Sequence, residues 1–278
     1  MSPKSIFEGI ENDIHHALGI ETGKHFKQKS TCRRLTSKTV DDEVLPKLVE
    51  TLREKILSNW SSRIPSQENW RMERQTTLAA KNRSPEVVLE RAIAMLGEQG
   101  VLKNWYNQIP VASGMIDDKA DKRAAVDLIH VDGRNVDLVE LKWGSDTPVF
   151  AAFEILQYGL AYLLCRDKQE TFGYESKRLM QSERISLQVL APVEFYSSYG
   201  LGFLATGIRE GLDRLCAQRD DGLKMNFMFL SFPSDFQLPF STGEEVLRQQ
   251  GKSIDTGPNR LLIEAMTNLQ PVWEKNTP

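Results

Sequence analysis

The order of patterned segments along this chain predicts an α/β sandwich around a mixed central sheet, preceded by a helical N-terminal region. Three observations carry that expectation. Two short apolar runs flank an Asp-Gly pair, which is a hairpin signal. Helical patterns lie on either side of that hairpin. A strand, a helix and a further strand then follow in turn.

Taken in order, residues 1 to about 80 read as helical. Ile6, Ile10, Ile14 and Leu18 recur at fourfold spacing, and Leu45, Leu48, Leu52, Ile56 and Trp60 form a second stripe, with Pro46 suited to its first turn. The polar stretch 63–80 reads as a connection. Ser84-Pro85-Glu86 has the form of a helix start, with Ser84 as N-cap, and Leu89, Ile93 and Leu96 share one face of the helix to about Gly97. Residues 124–131 and 136–141 are the hairpin strands around Asp132-Gly133-Arg134-Asn135. A helix is expected over 149–165, a strand over 185–195, a helix over 203–217 and a strand over 225–232. Helices at 244–250 and 259–269 close the chain. The organisation expected is therefore a helical region (1–80), an α/β core (81–240) and a helical tail (241–278).

Composition excludes several classes. The chain has 278 residues, 40% hydrophobic and 26% charged, which is ordinary for a globular protein. No apolar stretch in the sequence approaches the ~20 residues of a membrane span, and the N-terminus lacks the order of a secretory signal, so a cytoplasmic protein is expected. Cys32, Cys165 and Cys216 form no C-x-x-C pair and suggest neither a disulfide framework nor a zinc ribbon. The four histidines show no ligand spacing: His15 and His16 are adjacent, His25 lies in a basic loop and His130 in a strand. Net charge is −3, yet residues 21–40 carry six basic residues against one acid. Lys24, Lys27, Lys29, Arg33 and Arg34 of that segment are candidates for phosphate contacts; a solvated loop explains the same charges.

The chemistry-bearing constellation is centred on Glu140-Leu141-Lys142. Residues two apart on a strand share a face, so Glu140 and Lys142 project together. Asp127 lies on the preceding strand, and the hairpin brings it near Glu140. Charges inside apolar strands are costly unless paired or bound to metal. The chain supplies its own controls, because Asp117-Asp118-Lys119 and Glu175-Ser176-Lys177 have the same acid-x-lysine form but lie in polar stretches.

The succession Glu90-Arg91-Ala92-Ile93-Ala94-Met95-Leu96, Gly100, Ala125-Val126-Asp127-Leu128-Ile129 and Leu138-Val139-Glu140-Leu141-Lys142 resembles the core of the PD-(D/E)XK nuclease superfamily, in particular archaeal Holliday-junction resolvases and their restriction-endonuclease relatives. It covers roughly residues 84 to 165. The resemblance implies a restriction-endonuclease-like fold and hydrolysis of phosphodiester bonds, in DNA before RNA. It implies Mg²⁺, with Mn²⁺ able to substitute, held by Asp127 and Glu140 with support from Glu90. Lys142 would orient the attacking water and stabilise developing charge. Val126 stands where the family name has proline, and Glu86, one turn before Glu90, is the alternative helix acid. Gln157 is a further candidate, since RecB-like members place a glutamine and a tyrosine on the following helix; the spacing to Tyr162 is one residue longer than theirs, and Tyr158 and Tyr162 also suit a packed helix face.

One rival class remains in view. Tyr199-Gly200-Leu201-Gly202 completes neither a dinucleotide fingerprint nor a Walker motif, and there is no G-x-S-x-G elbow. A non-catalytic nucleic-acid-binding or assembly protein would use the basic segment and the helical region on the same scaffold. As a nuclease, the chain would act in restriction, phage defence or repair, as a homodimer or with an activating partner.

Overall fold

The computed structural model describes residues 3–252 and 257–272. Its helices are α1 (Ile10–Ala17), α2 (Lys29–Cys32), α3 (Val44–Asn59), α4 (Pro85–Glu98), α5 (Pro148–Asp167), α6 (Gln169–Phe172), α7 (Val193–Tyr196), α8 (Gly202–Ala217), α9 (Gly243–Leu247) and α10 (Gly257–Thr267). Among the described residues the strands form one six-stranded mixed sheet in chain order: β1 (Trp105–Pro110), β2 (Ala125–Asp132), β3 (Asn135–Leu141), β4 (Arg184–Ala191), β5 (Lys224–Ser231) and β6 (Gln270–Pro271).

β1, β2 and β3 pair antiparallel, whereas β3–β4 and β4–β5 pair parallel through crossovers that contain α5 and α8. β6 adds an antiparallel edge to β5. The expected hairpin is present: Asp132 faces Asn135, and Gly133 takes φ +60° as the first central residue of a two-residue turn.

The pleat of β3 divides the core in two. Val136 and Leu138 join Ile14, Leu52, Ile155 and Leu187 under α1, α3, α5 and α8. Val139 and Leu141 face the opposite way, with Leu89, Ile93, Phe232 and Leu262 under α4, α9 and α10. Close packing on the first face depends on small residues. A Cβ on Gly159 of α5 would lie 2.5 Å from Leu187, and one on Gly207 of α8 would lie 2.5 Å from Leu45 of α3.

Several expectations need correction. Residues 60–84 carry no helix, and Ile6 lies buried in a turn before α1, not on it. The polar stretch 63–80 does connect α3 to α4, and it packs closely: Trp70 is buried, edge-on to Tyr162 with ring centroids 5.5 Å apart. Ser84 occupies the N-cap of α4 without a side-chain cap bond, while Pro85 takes the first turn as expected. The strand expected to 195 ends at Ala191, because Pro192 cannot donate to a ladder and the chain turns into α7. β1 was not anticipated, since Asn107, Gln108 and Pro110 dilute its apolar signal. The C-terminal segment supplies β6 as well as helices. Finally, α5 is by length and composition apolar enough to cross a membrane, which the sequence reading denied of any segment; here most of its apolar surface is buried against β4, β3 and α3.

Candidate active site

β2 and β3 pair until Leu128 faces Val139. One step further, where the same register would set Asp127 against Glu140, the Asp127 carboxylate accepts the Leu141 N–H at 3.0 Å. β3 meanwhile stays paired with β4 to Leu141, and Lys142 N–H donates to Leu190 O at 2.9 Å. At this end of the strand pair Asp127, Glu140 and Lys142 line a common cavity of roughly 250 Å³ with Glu90 of α4.

Each acid there is held by a different element. Glu90 is 3% exposed and accepts from Asn107 Nδ2 at 2.6 Å, from Gln108 Nε2 at 3.1 Å and from the Arg91 guanidinium. Gln108 takes a left-handed φ of +53° within β1, a strained conformation for a side-chain-bearing residue beside the site. Glu86, the alternative helix acid, also lines the cavity, but its Oε1 is taken by Trp143 N–H at 2.9 Å and Ser145 Oγ at 2.5 Å. It holds the loop after β3, and the Asp127 field reaches Glu90.

Lys142 is 7% exposed and its ammonium lies 2.7 Å from Glu140 Oε1 and 2.9 Å from Glu154 Oε2, with Asp146 at 4.0 Å. Burial opposes its charge, but Glu140 and Glu154 outweigh that and hold its pKa above the ordinary lysine value. The lysine therefore stays an ammonium, able to donate hydrogen bonds and charge but not to take a proton from water.

The carboxyl pKa values are raised as well, which for an acid favours the neutral form. Burial raises Glu90 from 4.5 to about 7, against the pull of Arg91, and the Asp127 charge adds to the rise. Burial raises Asp127 from 3.8 to about 6 against the Leu141 N–H, with Glu154 pushing the same way. Glu140 rises well above its usual range, first from burial and then from Asp127 and Glu154. Burial and one another's charges make these acids resist ionising together unless a cation joins them. The all-oxygen donor set of Asp127, Glu140 and Glu90 suits a hard cation such as Mg²⁺.

The other predicted residues separate. Gln157 Nε2 donates back to Phe153 O at 3.1 Å and does not line the cavity. Its neighbours on α5, Glu154 and Tyr158, do line it. Burial and the Glu154 charge keep the Tyr158 phenol protonated. Glu154 was missed by sequence reasoning, although a single acid within the apolar first three turns of α5 was a signal that a partner awaited it.

Of the basic segment, Lys29 and Arg33 line a groove of roughly 630 Å³ that opens from the loop after β3, with Trp143, Asp146, Glu194 and Phe236 among its walls. The Lys27 ammonium sits 4.0 Å from the Phe150 ring centroid, and that ring is 5.8 Å from the Lys142 ammonium. Lys24 pairs with Glu21, and neither it nor Arg34 lines the groove. Comparison with family models, with curated proteins and with solved structures finds no match.

Proposed function

We propose that this chain is a metal-dependent nuclease that hydrolyses phosphodiester bonds, in DNA before RNA, on a restriction-endonuclease-like core. The observation that carries the reading is the convergence of Glu90, Asp127, Glu140 and Lys142, from a helix and two strands, in one cavity. Two further features support it. The carboxyl pKa values are raised by burial and mutual repulsion. The groove holding Lys29 and Arg33 opens beside the cavity, where phosphates could follow it.

Asp127 and Glu140, with Glu90 behind them, would hold a Mg²⁺ or Mn²⁺ ion, which would polarise the phosphate and lower the pKa of a bound water. Lys142 then donates to the attacking water or to the phosphate oxygen that gains charge. Glu154 acts as a positioning residue, because it holds the Lys142 ammonium from the side opposite the strand. The N-terminal helices and the basic segment would serve substrate binding, dimerisation or docking of an activating partner, in restriction, phage defence or repair.

The test is cleavage of plasmid, linear, single-stranded and branched DNA and of RNA, with Mg²⁺, Mn²⁺ or chelator. Wild type is run beside Glu140→Ala and Lys142→Ala. Metal-dependent cutting lost in both variants is the expected result and names the substrate class. Cutting that survives both substitutions places the chemistry elsewhere. Salt-sensitive, metal-independent binding without cutting, with a partner present or absent, favours a non-catalytic nucleic-acid-binding or assembly protein on this scaffold.

A further inference from the structure

The histidines that show no ligand spacing in the sequence are brought together by the fold. Glu11 and His15 lie four residues apart on α1, one turn above one another. The chain leaves α1 through Gly19 at φ +62° and Gly23 at φ +82°, and returns His25 over the helix. One ligand atom from each of Glu11, His15 and His25 lies within 4.8 Å of the other two. His25 Nε2 is 2.5 Å from Glu11 Oε1, and the two imidazole centroids are 4.7 Å apart at 76°.

We propose that Glu11, His15 and His25 bind one divalent ion of the zinc class, at a site separate from the acid cavity and independent of the nuclease reading. Two imidazoles and one carboxylate match the donors zinc prefers, and water would complete four-coordination. Ligands at the usual ~2.0–2.1 Å from a tetrahedral zinc sit about 3.3 Å apart, so the Glu11–His25 pair would open from 2.5 Å while the other spacings, within 4.8 Å, adjust to the same value.

The backbones are already fixed. Ile10 and Ile14 bury one face of α1. Phe26, the residue after His25, is 2% exposed, stacks on Phe150 at 5.8 Å, and accepts from Thr147 Oγ1 at 2.6 Å. A Glu11–His25 hydrogen bond alone leaves His15 unexplained. Its Nε2 is buried with no hydrogen-bond partner. One contact changes on binding. His25 Nδ1 now accepts Lys27 N–H at 2.9 Å, so Nε2 carries the ring proton; with metal on Nε2 that proton moves to Nδ1, and the N–H of exposed Lys27 turns to water.

The bound ion would clamp the 19–26 turn to α1, and so the start of the segment that carries Lys27, Lys29 and Arg33. The test uses the full chain, stripped with chelator and titrated with Zn²⁺ against a chromophoric zinc indicator, with Co²⁺ absorption as a second readout. The expected result is one tight equivalent that persists in Asp127→Asn/Glu140→Gln. It weakens at least tenfold in His25→Ala and in His15→Gln, and less in Glu11→Gln. Circular dichroism checks that each variant folds; Glu11 and His25 are partly exposed, so their variants leave the core intact. Zinc binding that vanishes with the acid-cavity variant, that ignores both histidine substitutions, or that never reaches one equivalent overturns the proposal and leaves a Glu11–His25 hydrogen bond only.

Discussion

The acid cavity and the histidine cluster are two gatherings of ligating side chains built by opposite means. In the cavity, Glu140 and Lys142 are neighbours on one strand and Asp127 is their partner across a tight hairpin, so the group is nearly local. Its donors are all oxygen, Glu90 and Glu140 are each 3% exposed, and the charges strain against one another. In the cluster, His25 reaches Glu11 and His15 only after a loop with two left-handed glycines; Glu11 is exposed and the two histidines are half-buried. Buried like charges store energy that a hard cation can release. A half-buried imidazole pair stores less and offers affinity for a softer ion. The two sites should therefore respond to different metals and different substitutions.

The largest expected effect is on cleavage. Asp127→Asn, Glu140→Ala and Lys142→Ala should each lower metal-dependent cutting by about 10²–10³-fold or more, the scale of removing one preorganised charge-stabilising group. In the same proteins zinc binding should be unchanged. Loss of both properties together in any one variant would overturn the separate zinc site.

Glu154→Gln should have a smaller effect, about 10–100-fold, as for partners that orient a primary ligand. Because Lys142 keeps its contact with Glu140, the loss should fall on kcat more than on KM. Undiminished kcat would remove Glu154 from the positioning role.

Next comes pH. Glu90 and Asp127 ionise at higher pH folded than unfolded, so the folded state holds extra protons between their ordinary values and about 7 and about 6 respectively. Stability should therefore fall as pH rises from roughly 4 through 7. The Glu90 contribution is on the order of 3 kcal/mol at most. Melting temperature against pH should show this slope in chelator, a shallower one in Glu90→Gln, and a nearly flat one in saturating Mg²⁺. A slope indifferent to both changes would contradict the assigned cause. Cleavage should rise over the same interval as the ligands lose their protons.

The smallest expected effect belongs to Gln157→Ala. Its side chain returns to its own helix at Phe153 O, so activity should stay within about twofold of wild type. A hundredfold loss would show that substrate binding turns the glutamine into the cavity.

The sequence by itself determined whatever depends on period and short range. Alternation placed Glu140 and Lys142 on one face, Asp132-Gly133 closed the hairpin over them, and apolar spacing predicted helices where α4, α5 and α8 stand. An acid inside an apolar strand reads as costly whatever surrounds it, which is why this triplet stood apart from its two solvated copies. Only the tertiary structure decided the contributions that arrive from a distance. β1 brings Asn107 and Gln108 to Glu90, yet its polar residues hide the strand from any periodicity. α5 directs Glu154 inward and Gln157 aside, a difference of some three residues on a helix that is apolar almost all round. His15 and His25 meet because Phe26 is buried beneath α1 and α5, and no spacing rule encodes where a loop returns. Local pattern sets which face a side chain takes; which other side chains share that space is set by packing between elements far apart in the chain.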